Sequence, residues 1–232
     1  MHKLPPDHLS PDVPLLPSVV MIPRLLAIIP AAGRSRRMGQ PKLLLDIAGQ
    51  SVISRVLSAL QEAGIERTLV VVRSDDEALI REVRESGGEV VTPEVAPEEM
   101  RQSVEYAVQH VRHTEATFGA FTGWMLVPGD HPTLHPEVIQ RLIAAWSDHP
   151  QLIAVPVHAG RRGHPTLFPW SMVDDVFSLP TDQGLNQLLR MNPERVLEAE
   201  VSDSRVLDDL DTPEDLLRLQ RDFQRKSNDG TG

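Results

Sequence analysis

Short apolar runs alternate with stretches of helical spacing along most of this chain, and that alternation constrains its fold more than any other feature. Leu25 to Ile29 is an apolar run that ends at a glycine-bearing turn, which predicts a buried strand. Val52 to Ala63 has helical spacing and stops at Gly64, Thr68 to Val72 reads as a strand, and Asp76 to Glu85 is helical up to Gly87-Gly88. Val90-Val91 predicts a short strand, Glu98 to Val111 a helix, and Trp124 to Val127 a strand leading into Pro128-Gly129-Asp130. Pro136 to Trp146 is a helix with proline in its first turn, Leu152 to Val157 a strand, and Pro213 to Phe223 a closing helix. Strands separated by helices imply βαβ units, hence an α/β fold with a mostly parallel central sheet flanked by helices. With 232 residues, the chain has room for one such domain.

The ends read differently. Residues 1–23 hold six of the twenty prolines, which remove backbone donors and disfavour helix, so a disordered or extended tail is expected there. The domain is expected over 24–225, and the polar, glycine-bearing stretch 226–232 is expected to fray.

Composition excludes several functions. Without cysteine there is no disulfide framework, thiolate metal site or cysteine nucleophile. A net charge of −10 argues against a broad nucleic-acid-binding face. The longest apolar stretch, Ser18 to Pro30, is interrupted by Pro23 and Arg24 and falls short of a membrane span. No basic segment leads an apolar one at the N-terminus, so no secretory signal is read and the cytoplasm is the expected compartment.

Against that negative charge, the loop after the first strand stands out. Arg34, Arg36, Arg37 and Lys42 place four cations within nine residues, just after the small residues Ala31, Ala32 and Gly33. Small residues let backbone N–H groups approach an anion closely, and open α/β sheets bind ligands at the carboxyl ends of their strands. This local charge inversion suits a polyphosphate. Neither common phosphate loop fits: Gly33 and Gly39 are six apart with no glycine between, and Gly39 is followed by Gln40-Pro41 rather than Lys-Ser or Lys-Thr.

The segment Pro30-Ala31-Ala32-Gly33-Arg34-Ser35-Arg36-Arg37-Met38-Gly39-Gln40-Pro41-Lys42 resembles the signature loop of MobA-like nucleotidyltransferases. Four further stretches resemble that family in order: Val127-Pro128-Gly129-Asp130-His131-Pro132, Arg162-Gly163-His164-Pro165-Thr166-Leu167-Phe168, Asp182-Gln183-Gly184 with Leu188-Leu189, and Asp209-Leu210-Asp211-Thr212-Pro213-Glu214-Asp215-Leu216. Within the family, Pro-Ala-Ala-Gly is similar to the molybdenum-cofactor cytidylyltransferases rather than the guanylyltransferases. One departure is Glu99, where those sequences usually carry glycine before Met100.

The resemblance implies transfer of CMP from CTP to the phosphate of molybdenum cofactor, Mo-molybdopterin, with pyrophosphate released. Ala31, Ala32, Gly33, Arg34, Ser35, Met38 and Gly39 would then bind the nucleotide. Arg37 and Lys42 would offset phosphate charge, and Asp130 would act with them in catalysis. Nucleotidyl transfer needs little covalent help beyond positioning and charge stabilisation, so Mg²⁺ is the expected cofactor. Asp130 is its first expected ligand, completed by Asp209 or Asp211, which point the same way on extended chain; Asp209 is slightly favoured. Glu214 and Asp215 read instead as helix-start acids.

Arg162, Gly163 and His164 are implied to face the phosphorylated pterin. Ser103 is either a contact to the base or a simple helix-entry serine. His131 and His135 carry no metal pattern, because Pro132 and Pro136 prevent a shared helix face. Two other functions stay open: the same chemistry on another phosphorylated small molecule such as a sugar phosphate, or non-catalytic delivery of the cofactor to a partner. A molybdoenzyme is the implied recipient of the product.

Overall fold

A computed structural model describes residues 23–33, 38–114 and 121–229. The expected proline-rich tail lies outside the described residues, except for Pro23, which is not part of a helix or strand. Strand β1 (Leu25–Pro30) leads through a 3-10 turn, Lys42–Leu44, to a small hairpin of β2 (Asp46–Ile47) and β3 (Gln50–Ser51). Then come α1 (Val52–Glu62), β4 (Arg67–Val71), α2 (Glu77–Glu85), β5 (Glu89–Val91), α3 (Met100–Thr114) and β6 (Gly123–Leu126). After α4 (Pro136–Ser147), β7 (Ile153–His158) turns back into β8 (Arg161–Arg162) and β9 (Thr166–Pro169). Helices α5 (Val173–Ser178) and α6 (Asn186–Met191), strand β10 (Val196–Glu200) and helix α7 (Pro213–Asp229) complete the domain.

The main sheet runs β10-β7-β9-β6-β1-β4-β5, with β8 pairing to β7. Every pairing along that path is parallel except those of β9, which is antiparallel to both β6 and β7. The α/β expectation therefore holds, with β9 as a reversed strand inside the sheet. Its pairing with β6 sets Trp124 opposite Phe168, and their rings stack with centroids 4.3 Å apart.

The alternation of β1 explains the layering. Leu25, Ala27 and Ile29 enter one core with residues of α1, α2, α4 and α7, while Leu26 and Ile28 enter another with α3, α5 and α6. A strand buried on both faces must be apolar at every position, as β1 is. The helix ends follow local chemistry: the Ser51 and Asp76 side chains accept from the backbone N–H groups of Ser54 and Leu79, starting α1 and α2. Helix α7 runs to Asp229, six residues beyond the Phe223 limit read from the sequence. Among the described residues, no helix is long and apolar enough to cross a membrane.

Candidate active site

The carboxyl ends of β1, β6 and β10 open onto one edge of the sheet, and the candidate residues gather there. After β1, Ala31 is tied to β4 by its N–H to the Val71 carbonyl, 2.9 Å. Ala31 and Ala32 are buried, and Gly33 is exposed. The chain re-enters at Met38, buried, and Gly39, whose φ of +66° suits glycine because it carries no Cβ. Pro41 then leads into the 3-10 turn that begins at Lys42. Arg34, Ser35 and Arg37 lie outside the described residues.

Lys42 is the centre of the arrangement. Its Nζ donates to Asp130 Oδ2, to the Leu210 carbonyl at 3.1 Å and to Asp211 Oδ1 at 3.2 Å. Burial pulls the ammonium down, but Asp130 and Asp211 outweigh it and hold its pKa above the ordinary lysine value. Asp130 arrives on the turn after β6. That turn packs closely, because a Cβ on Gly129 would meet Ile29 at 3.1 Å. Asp211 arrives from the far side, on the segment after β10, which is pinned by the Leu210 N–H to the Asp130 carbonyl, 3.0 Å. A cleft of about 300 Å³ lies over these groups, lined by Ala31, Gly33, Met38, Lys42, Met100 and Asp130 among others.

The acidic segment divides its work. Asp215 accepts from the N–H groups of Asp211 and Thr212, and the Thr212 hydroxyl accepts from the Asp215 N–H, which starts α7. Asp208 pairs with Arg218 at 3.1 Å. Asp211 meets Lys42, while Asp209 turns the other way, 3.6 Å from His131 Nδ1. Among the described residues, no lysine or arginine pairs with Asp209. Its carboxyl is pushed above the usual range by partial loss of water and by the charge of Asp130, against the pull of His131. Two nearby carboxylates, one without a cationic partner, suit a divalent cation that shares its remaining positions with phosphate and water. Among the described residues, no three histidine or acidic groups form a complete metal cage.

His164 stands beside this group, and burial lowers its pKa. Gly163 explains how it gets there: a Cβ at that position would lie 2.4 Å from the Val206 carbonyl oxygen, so only glycine lets the two backbones meet. The His164 N–H then donates to that same carbonyl at 3.0 Å. Arg162 points elsewhere, to Glu198 on β10 at 2.8 Å. Ser103 is buried in α3, and Met100 forms that wall of the cleft.

Two contributors escape sequence reasoning. Arg73, after β4, donates to the carbonyls of Ala32 at 3.2 Å and Gly33 at 3.4 Å, bracing the first loop from 41 residues away. His131 is 1% exposed and faces Asp209. Its position directly after Asp130 was the available signal.

Known proteins share this chain's sequence pattern and fold. The chain is 30% identical over 214 residues to the purine catabolism protein PucB of Bacillus subtilis, covering 86% of this chain and 97% of that one. It is 26% identical to the molybdenum cofactor cytidylyltransferase of Escherichia coli, covering 84% and 95%. The crystal structure of Rv0371c from Mycobacterium tuberculosis superposes with a TM-score of 0.72 at 28% identity, covering 85% of this chain and 98% of that one. The same mycobacterial protein in complex with manganese matches with a TM-score of 0.67 at 25% identity, again covering 85% and 98%. A family model, the MobA-like NTP transferase domain, matches residues 27–198, and the chain belongs to that nucleotidyltransferase family.

Proposed function

We propose that this protein transfers CMP from CTP to the terminal phosphate of a molybdopterin-type cofactor, with Mg²⁺ as the metal. The observation that carries the reading is the meeting of Lys42, Asp130 and Asp211 over the cleft that follows β1. The acceptor phosphate oxygen attacks the α-phosphorus of CTP. The bond from that phosphorus to the oxygen bridging to the β-phosphate breaks, and pyrophosphate leaves. The protein must align three groups in line and neutralise charge that spreads over phosphoryl oxygens.

Lys42 brings a fixed positive charge, and Asp130, Asp211 and the Leu210 carbonyl help to hold it in place before substrate arrives. Ala31 to Gly33 offer a small-residue wall for the base, with Arg73 fixing two of its carbonyls. Ala32 in place of glycine narrows that wall and favours a pyrimidine. Asp130 and Asp209 would hold the cation, which supplies Lewis-acid stabilisation of phosphoryl charge. The manganese complex of the mycobacterial neighbour supports a divalent ion in this fold. The acceptor enters from the side of His164. The cytidylyltransferase relative supports CTP and the molybdenum cofactor as the substrates.

The deciding experiment is pyrophosphate release from CTP and from GTP, each with molybdopterin-type cofactor or with sugar phosphates. Release with CTP and the pterin supports the reading. Release only with sugar phosphates moves the acceptor. No release with any pair points to a delivery protein without catalysis.

A further inference from the structure

The Asp182-Gln183-Gly184 motif has no place in the transfer reading, yet a buried arginine ties it to the cleft. Helix α3 starts at the carboxyl edge of the sheet, where Met100 lines the cleft. Arg101 follows at once, 7% exposed, and its Nη1 donates to the carbonyls of Leu179 at 2.6 Å and Pro180 at 3.2 Å. Its Nε lies 3.4 Å from Glu105. Near the other end of α3, Arg112 pairs with Asp174 at the start of α5. Helix α5 therefore runs antiparallel to α3 and delivers residues 179–184 to the cleft edge, beside the start of α3. There the Gln183 N–H donates to the Pro180 carbonyl at 3.0 Å and closes a turn. Asp182 and Gly184 are left exposed, and Gln183 is half-buried.

We infer that Arg101 is a positioning residue that holds Asp182 at the rim of the cleft, where the Asp182 carboxylate accepts hydrogen bonds from N–H groups on the ring system of the acceptor. The inference rests on the nucleotidyl-transfer reading for its acceptor, whose pterin carries such groups. For stability alone, apolar packing between helix and turn serves as well as a buried guanidinium, which loses water on burial. The guanidinium adds direction, because its rigid plane holds two successive carbonyls and so orients the turn that follows them. The turn also stands on the side away from the triphosphate. Leu179 and Leu185 enter the core on the α3, α5 and α6 face, whereas Leu43 and Leu210, the neighbours of Lys42 and Asp211, enter the opposite one. From Leu179 to Asn186 the chain offers a carboxylate and amides but no cation, which suits N–H donors and repels phosphate. In chain order it follows the segment that carries His164, the side from which the acceptor enters.

The test measures binding by the full chain and needs no turnover. Molybdopterin-type cofactor and CTP are titrated separately by calorimetry. Asp182→Asn and Arg101→Met should each weaken the pterin about tenfold or more, the scale of one hydrogen bond to a charged group, and leave CTP binding unchanged. Arg101→Lys, which keeps a donor, should recover part of the loss. In an Arg101→Met background, Asp182→Asn should add little, because the two residues act as one unit. Asp182 is exposed, so its variant keeps the fold and the test stands whatever Arg101→Met does. Equal weakening of pterin and CTP, or an Arg101→Met chain that does not fold, makes Arg101 a residue of the core and overturns its positioning role. Unchanged pterin binding by Asp182→Asn, or no pterin binding by the unmodified protein, overturns the contact; pyrophosphate release from CTP would still leave the transfer reading standing. Selective loss of pterin binding in a protein that releases no pyrophosphate supports the inference while the transfer reading fails.

Discussion

The ammonium of Lys42 donates to the carboxylate of Asp130 although 88 residues of chain separate them. One residue follows the loop after β1, and the other follows the neighbouring strand β6. Parallel pairing of those strands makes their ends adjacent, with Ile28 opposite Leu126. The contact is thus a direct product of sheet order.

That contact gives the first prediction. Lys42→Ala should lower kcat by about 10²–10³-fold, the cost of removing one preorganised charge-stabilising donor. Asp130→Ala should abolish turnover and metal-dependent CTP binding, since loss of a metal ligand removes several kcal/mol of stabilisation. Both proteins should keep the native circular dichroism spectrum. Near-normal turnover of Asp130→Ala at saturating metal would reduce Asp130 to a turn residue.

The second prediction concerns the base. CTP should be preferred to GTP, and Ala32→Gly should relax that preference. A shape-based pocket discriminates by about 1–3 kcal/mol, or roughly 10–200-fold in kcat/KM. Measuring kcat/KM for both nucleotides with one acceptor decides it. Equal use of both by the unmodified enzyme removes Ala32 as the selector.

Gly163 supports a third. A methyl group there would lie 2.4 Å from the Val206 carbonyl oxygen, a backbone atom that cannot rotate away. Gly163→Ala should cost about 1–3 kcal/mol of stability, as overpacking does, and move His164 off the site. Thermal melts and kcat/KM should fall together. An unchanged melt would show that the two backbones separate freely.

The fourth concerns pH. Glu89 accepts from Arg67 at 2.8 and 2.9 Å and meets His110 at 2.9 Å. The bond from Arg67 is the main cause that holds its carboxyl below the usual 4.5. A depressed carboxylate adds stability that is present above the unfolded value and is lost as pH falls through the folded one. The Glu89 side chain is 38% exposed, so screening limits the gain to about 0.5 kcal/mol. Glu89→Gln should therefore lower Tm by about 1–2 °C at pH 7. As pH falls through the folded value, below 4.5, the two melts should converge, and a gap that does not narrow with acid would contradict the linkage.

In the first half of the fold, β1, β4 and β6 were legible because they are buried on both faces, and α1 and α2 because Ser51 and Asp76 cap them; the β2–β3 hairpin, with strands of only two residues each, gave no such signal. Strand β10 was hidden because Val196-Leu197-Glu198-Ala199-Glu200 lies at the sheet edge and buries Ala199 alone. Strand β9 was hidden because it is four residues long, ends in proline and sits inside a motif read for chemistry. At the site, Lys42, Asp130 and Asp211 were legible by residue type and motif. Arg73 was not, since an isolated arginine after a strand reads as solvated until the fold sets it against Ala32 and Gly33. His131 was set aside because helix-face spacing is the wrong test for a residue on a turn. Arg162 was read as an acceptor contact, but the β7–β8 hairpin aims it at Glu198.

The reversed strand β9 has a consequence for how such an enzyme can change. Thr166, at the start of β9, pairs with Leu126, at the end of β6, so the turn carrying His164 stands at the same edge as Asp130. The chain that follows Pro169 leaves from the opposite edge. The cleft itself draws on both halves of the chain, Lys42 and Asp130 from segments before residue 131 and Asp211 from the segment after β10, while the His164 turn comes from the β8–β9 segment alone. The turn between β8 and β9 can therefore change in length or sequence without rethreading the strands that hold Lys42 and Asp130, so a lineage could reshape one rim of the cleft while the ion pair at its floor stayed intact.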